Sequence, residues 1–174
     1  IDFAGYWEAL WRISKIYITF LISTFSLYIL PTFSQISVKY LRKEIFKIWR
    51  ITIPLSIVLS TVIYILRDFI IAILYTDEFL IIGTVIMYQL IGDVIKINSM
   101  VLGNLLIAKV HAKTFIAVQI AWAIVFYLSL KFFTLNYGFK GVGYAYLTSY
   151  IIHFLFMNFY FKKLLWIRPL QRNL

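Results

Sequence analysis

Ionisable side chains set inside long apolar runs carry whatever chemistry this sequence has. Glu8, Arg12, Lys15, Thr19, Ser23 and Ser26 follow one another at spacings of 4, 3, 4, 4 and 3 residues. Those steps put all six on one face of a helix. Such a stripe must meet water, protein or a polar ligand, unless its cations snorkel to the membrane surface. Gln89, Gly92, Asp93, Lys96, Ser99 and Gly103 repeat the helical spacing. Asp93 lies 14 residues after Phe79 and 16 before Lys109. At about 1.5 Å per residue it stands roughly 21 Å into its run, near the middle. Asp93 and Lys96 are i, i+3 neighbours able to neutralise each other. Charge at that depth is costly and marks substrate or ion pathways, so the chemistry in question is binding and ion transfer.

The remaining polar positions read more simply. Ser56, Ser60, Tyr64 and Arg67 share a face, and Arg67 with Asp68 forms an interfacial ion pair ending an apolar run. His111 falls in a connection, and His153 reads as a hydrogen-bonded helix residue. The sequence holds no HExxH, GxSxG or phosphate-loop motif and no cysteine. Nothing in it calls for a cofactor or a metal. Gly138, Gly141 and Gly143 suit a tight turn between two runs.

The elements that carry these residues follow from composition. The chain has 174 residues, of which 63% are hydrophobic and 14% charged, with a mean hydropathy of +0.89. A soluble domain is nearer half apolar and a quarter charged. The fold class is therefore an all-α membrane protein, because the runs are long and lack strand-like alternation. Five runs qualify as transmembrane helices, at about 5–36, 47–75, 79–109, 112–133 and 141–162. The first connection, Ser37 to Phe46, is the long one. Tyr6, Trp7, Trp49, Tyr75, Tyr137 and Trp166 sit near run ends, where interfacial anchoring explains them. Pro54 belongs in the first turns of run two or kinks it.

The net charge is +10, yet its pattern does not point to nucleic acid. Lys39, Arg42, Lys43, Lys47 and Arg50, then Lys109 and Lys113, then Lys162, Lys163, Arg168 and Arg172 fall on one side if the runs alternate. These are 11 of the 17 basic residues. The other side carries Asp2, Glu8, Asp77 and Glu78 with Lys131 and Lys140. The positive-inside rule then places the C-terminus in the cytoplasm.

Several segments resemble the Wzx-type flippases of lipid-linked oligosaccharides, in the polysaccharide-transport branch of the superfamily that also holds the MATE proteins. They are Gly5-Tyr6-Trp7-Glu8-Ala9-Leu10-Trp11-Arg12-Ile13-Ser14 and Ser26-Leu27-Tyr28-Ile29-Leu30-Pro31-Thr32-Phe33-Ser34. Leu66-Arg67-Asp68-Phe69, Gln89-Leu90-Ile91-Gly92-Asp93-Val94-Ile95-Lys96 and Leu106-Ile107-Ala108-Lys109 follow in order. O-antigen and enterobacterial-common-antigen flippases share this pattern. The resemblance implies about twelve helices in two lobes, with these five as the end of the C-terminal lobe. The N-terminal lobe and one further helix are then expected upstream. It implies a bacterial inner membrane location and an undecaprenyl-diphosphate-linked glycan as substrate. Membrane lipid, a polysaccharide polymerase and chain-length proteins are the implied partners. On that reading Arg12, Lys15, Gln89 and Lys96 meet the diphosphate or glycan, and Asp93 couples export to an ion.

Three rivals stay open. A cation-coupled drug antiporter of the same superfamily needs an acidic cavity, whereas Arg12, Lys15 and Lys96 here face Glu8 and Asp93. A membrane enzyme such as a glycan polymerase usually needs a large outward loop, and the longest outward connection is Thr134 to Lys140. A non-transporting structural membrane subunit would need reconstitution to distinguish. The orientation itself is testable on this cysteine-free chain. Cysteines placed at Arg42 and Arg172 should be shielded from an impermeant thiol reagent in intact cells, and one at Asp77 should be labelled. The opposite labelling pattern overturns the orientation.

Overall fold

The computed structural model describes residues 3–167. It is helical throughout, with no strand among the described residues. The helices are α1 (Phe3–Gln35), α2 (Val38–Leu74), α3 (Ile86–Ala108), α4 (Ala112–Tyr137), α5 (Lys140–Tyr160) and the short α6 (Lys162–Leu165). A 3-10 segment, Asp77–Thr84, joins α2 to α3. By length and composition α1 to α4 qualify as membrane spans. Helix α5 has 21 residues, about 31 Å at 1.5 Å each, which matches the hydrocarbon thickness of about 30 Å. Its tyrosines, Ser149, His153 and Asn158 keep it less apolar than the other four.

Two boundaries differ from the sequence reading. The expected connection Ser37 to Phe46 is helical from Val38 onward. The basic residues there are long-chained helix formers, so the helix runs on past the apolar stretch. Its 37 residues reach about 55 Å, well beyond one hydrocarbon thickness. Pro54 accordingly sits mid-helix, not in the first turns. Run three begins as the 3-10 segment, and α3 starts only at Ile86. Arg168, Arg172 and Asp2 lie outside the described residues.

Helix α3 is the hub. It packs against α1, α2 and α5, and α4 packs mainly against α5. Fourteen of the 23 residues of α3 are buried, against one of the 26 in α4. Two apolar clusters form the core. One gathers Leu10, Ile13, Leu21, Ile82, Ile86 and Phe139. The other, toward the basic end, gathers Phe33, Ile45, Trp49, Leu102, Leu106 and Met157. Trp49 is thus a core residue, not the interfacial anchor its position suggested.

Glycines set one turn and three close approaches. Gly138 adopts φ +57 between α4 and α5, a conformation that costs any side chain strain. Gly141 and Gly143, expected in the same turn, lie inside α5 and let it close on Phe133 of α4 and Val85. On α3, a Cβ at Gly92 would stand 2.6 Å from Tyr146 Cδ1 and 2.8 Å from its Cε1. Gly92→Ala should therefore displace the Tyr146 ring and cost about 1–3 kcal/mol. Thermal unfolding in detergent checks this. Gly83→Ala, where the nearest atom is Asp68 Oδ1 at 3.8 Å, should leave the midpoint unchanged.

Candidate functional site

Between the two apolar clusters α3 carries a band of buried polar side chains: Gln89, Asp93, Asn98 and Ser99. Asp93 is fully buried. It accepts a hydrogen bond from Tyr17 of α1 at 2.7 Å on Oδ2 and one from Tyr146 of α5 at 2.6 Å on Oδ1. The Ser14 hydroxyl is close by. Ser60 of α2 lies 3.5 Å from the Tyr17 hydroxyl. One carboxylate therefore draws α1 and α5 onto α3, with α2 reached through Tyr17. A second node follows one turn on. Thr52 donates to Asn98 Oδ1 at 2.7 Å, Trp49 Nε1 donates to the Asn98 carbonyl at 3.0 Å, and the Asn98 amide donates to the Val94 carbonyl at 2.7 Å. Ser99 and His153 Nδ1 are 2.6 Å apart, as the reading of His153 as a hydrogen-bonded helix residue expected.

Asp93 and Lys96 do not form an ion pair. The ion pairs among the described residues are Arg12–Glu8 at 2.9 Å, Lys47–Glu44 at 3.3 Å and Arg67–Asp68 at 3.4 Å. The tyrosines win because two hydroxyls reach the carboxylate from facing helices, at distances typical of strong O–H···O⁻ bonds. Lys96 instead holds its ammonium 5.4 Å from the Tyr150 ring centre and 6.0 Å from that of Tyr146. Such cation–π contacts partly replace lost hydration.

The sequence-derived residues fall into three settings. Arg12 and Lys15 lie on the exposed face of α1, with Glu8, Thr19 and Ser23. Arg12 is paired to Glu8, and Lys15 stands 4.5 Å over the Trp11 ring. Gln89 and Asp93 are fully buried on α3, and neither amide atom of Gln89 has a hydrogen-bond partner among the described residues. Lys96 is half-buried beside α4 and α5, where Gln119, Trp122, Tyr150 and His153 surround a cavity. The structure thus separates the three cations that the resemblance grouped together. Tyr17 and Tyr146 were missed. Their signal was the i, i+3 pair Ser14–Tyr17 on the face of α1 opposite the stripe, and the i, i+4 pair Tyr146–Tyr150.

Over 154 residues, 88% of the chain, the sequence is 30% identical to a lipid III flippase of Escherichia coli strain K12. This chain resembles a flippase. A lipid III flippase of Shigella flexneri matches with the same identity over the same share. The chain spans 37% of the length of these curated relatives. Both are named as flippases, which are transporters and not enzymes. No family model matches the chain, and no solved structure matches it.

The clamp on Asp93 has a measurable cost of loss. Tyr17→Phe and Tyr146→Phe should each destabilise by about 1.5–3 kcal/mol, the range for a hydrogen bond to a charged group. A double-mutant cycle of Tyr17→Phe with Asp93→Asn should show coupling of about 1 kcal/mol or more. Additive losses in unfolding midpoints would mean that the hydroxyl does not hold the carboxylate.

Proposed function

We propose that the protein to which this chain belongs moves an undecaprenyl-diphosphate-linked oligosaccharide from the cytoplasmic to the periplasmic face of the inner membrane. The glycan would be a repeat unit for O-antigen or enterobacterial common antigen. The chain would supply most of the C-terminal lobe of a two-lobed transporter, with its C-terminus in the cytoplasm. The observation that carries the reading is the polar stripe on α1. Glu8, Arg12, Lys15, Thr19 and Ser23 are exposed together on a helix whose other face is the core. A charged stripe at that place requires a polar counterpart, and a cavity shared with a facing lobe supplies one. The similarity to lipid III flippases over 88% of the chain supports the same reading.

In this mechanism Arg12 and Lys15 bind the diphosphate through charge-assisted hydrogen bonds. Glu8 holds the Arg12 guanidinium until phosphate displaces it. Thr19 and Ser23 meet sugar hydroxyls further along the stripe. The prenyl tail stays in lipid. A cationic drug would be repelled by the same two residues. About two negative charges move outward, and across 100 mV with the inside negative they gain roughly 4.6 kcal/mol. Asp93 lies one layer behind the stripe and is the proposed coupling group. Protonating it would replace one acceptor with a donor, weakening the link between α1, α3 and α5 as the lobes rock. Gln89, equally buried, would meet substrate only when those helices part.

The test uses the full-length protein in a flippase-deficient strain. Arg12→Ala and Lys15→Ala should each lower export of the lipid-linked glycan roughly tenfold or more, since a lost charged hydrogen bond is worth about 1.5–3 kcal/mol. Membrane protein levels should stay normal. Full complementation by both variants would remove the phosphate-binding role. Failure of the unaltered protein to complement would remove the transport reading itself.

A further inference from the structure

We propose that one face of α2, together with α6, binds an anionic phospholipid, with the phosphodiester at Arg42 and Arg50 and an acyl chain in the groove between α2 and α3. Arg42, Phe46, Arg50, Ile53, Ile57 and Tyr64 follow one another at spacings of 4, 4, 3, 4 and 7 residues. Those steps line them up on one side of the helix. The stripe is cationic and aromatic at the basic end and apolar just beyond Arg50, which is the order of a phospholipid read from headgroup to tail. The depth agrees. From Ile51 to Leu66 no charged residue interrupts α2, a length of roughly 24 Å, so Arg50 marks the edge of the hydrocarbon. Arg42 lies about 12 Å further along the axis, and the pair brackets the headgroup layer.

Three separate observations converge on this face. The first is charge. Glu44 is the one carboxylate between Ser37 and Arg67. It is turned to α1, where Tyr28 donates to it at 2.7 Å, and Lys47 pairs with it at 3.3 Å. Arg42 and Arg50 enter no ion pair among the described residues. Lys162 and Lys163 of α6, which packs on α2, add two exposed cations. The second is an aromatic frame. The Arg42 guanidinium lies 5.8 Å from the Phe46 ring centre, and Trp166 meets Phe46 edge-on at 5.9 Å. Leu165, fully buried, pins α6 in place and leaves Trp166 59% exposed. Tryptophan beside arginine at this depth is suited to the headgroup level. The third is the groove. Ile57 and Tyr64 form one wall, and Met87, Ile91 and Val94 of α3 form the other. Its volume is about 400 Å³, within the range of ligand sites.

Charge complementarity selects the occupant. A neighbouring apolar helix would cover the groove but leave the cations at its end unanswered. An anionic phospholipid answers both with one molecule. Its phosphate accepts charge-assisted hydrogen bonds from the guanidinium groups, and clustered cations beside a membrane span attract anionic headgroups. Basic residues that only orient a chain act by their number on one side of the membrane. A binding site depends instead on which face of which helix carries them. The site shares no residue with the α1 stripe, so its test does not depend on the transport reading.

The experiment measures lipid binding to the full-length, delipidated protein in detergent by native mass spectrometry. Phosphatidylglycerol should bind roughly tenfold more tightly than phosphatidylcholine, and Arg42→Gln combined with Arg50→Gln should weaken it about fivefold or more. Lys113→Gln, which removes a basic residue from the start of α4, should leave the affinity unchanged. Equal affinity for the two lipids overturns the proposal. So does unchanged binding in the double variant, or an equal loss in Lys113→Gln. Displacement of phosphatidylglycerol by glycerol phosphate would reduce the face to a phosphate site. Displacement by a far smaller amount of undecaprenyl diphosphate would assign it to a prenyl lipid. Either result removes the proposal. If the double variant fails to insert, Ile91→Phe decides, because it narrows the groove without changing charge. Affinity at least threefold lower supports the site, and an unchanged value removes it.

Discussion

A carboxylate in the interior of a membrane bundle has no water to turn to, so the protein has to satisfy it. Asp93 sets that demand on α3, and Tyr17 and Tyr146 meet it from two different helices. Much of the packing follows. Tyr146 can bring its hydroxyl to Asp93 only because Gly92, one residue earlier, leaves room for its ring. Tyr17 can reach only if α1 turns Leu10, Ser14 and Leu21 inward with it. That rotation exposes Arg12 and Lys15 on the other face. The charged stripe is outside because the tyrosine is inside.

The same logic explains why polar residues form a band and not a scatter. Apolar clusters at either end of α3 hold the helices by packing. Dispersion alone gives little orientation in lipid, where tails are as apolar as leucine. The hydrogen bonds around Asp93, Asn98 and Ser99 fix the rotation of each neighbouring helix about its own axis. Helix α4 takes little part in this band and is correspondingly the least buried of the long helices.

Much of this was legible in the sequence, for reasons of period and composition. Apolar runs of more than 20 residues pointed to the all-α membrane class. The count that put Asp93 near the middle of its run assumed α-helix from Phe79, whereas α3 starts at Ile86 and Asp93 falls in its first half. The Ser37–Phe46 segment misled because its lysines and arginines mark a membrane surface yet favour helix. Trp49 misled because a tryptophan near a run end looks interfacial, whereas its N–H is consumed by the Asn98 carbonyl. The pairing of Asp93 with Lys96 looked natural on one helix. It lost to partners 76 and 53 residues away, and no local spacing could reveal them. Nor could spacing tell that Lys96 faces α4 and α5 while Arg12 and Lys15 face outward.

Lys109 ends α3, and its ammonium donates to the Ile36 carbonyl at 2.9 Å, just past the end of α1. The last carbonyls of a helix carry partial negative charge and want such a donor. This lysine therefore serves two codes. It is one of the cations from which the expected orientation in the bilayer is read, and it is a terminal cap for a helix 73 residues earlier. Orientation is commonly probed by moving basic residues from one side to the other. At this position the manipulation would also uncap α1, so a changed topology and a loosened first hairpin would arrive together.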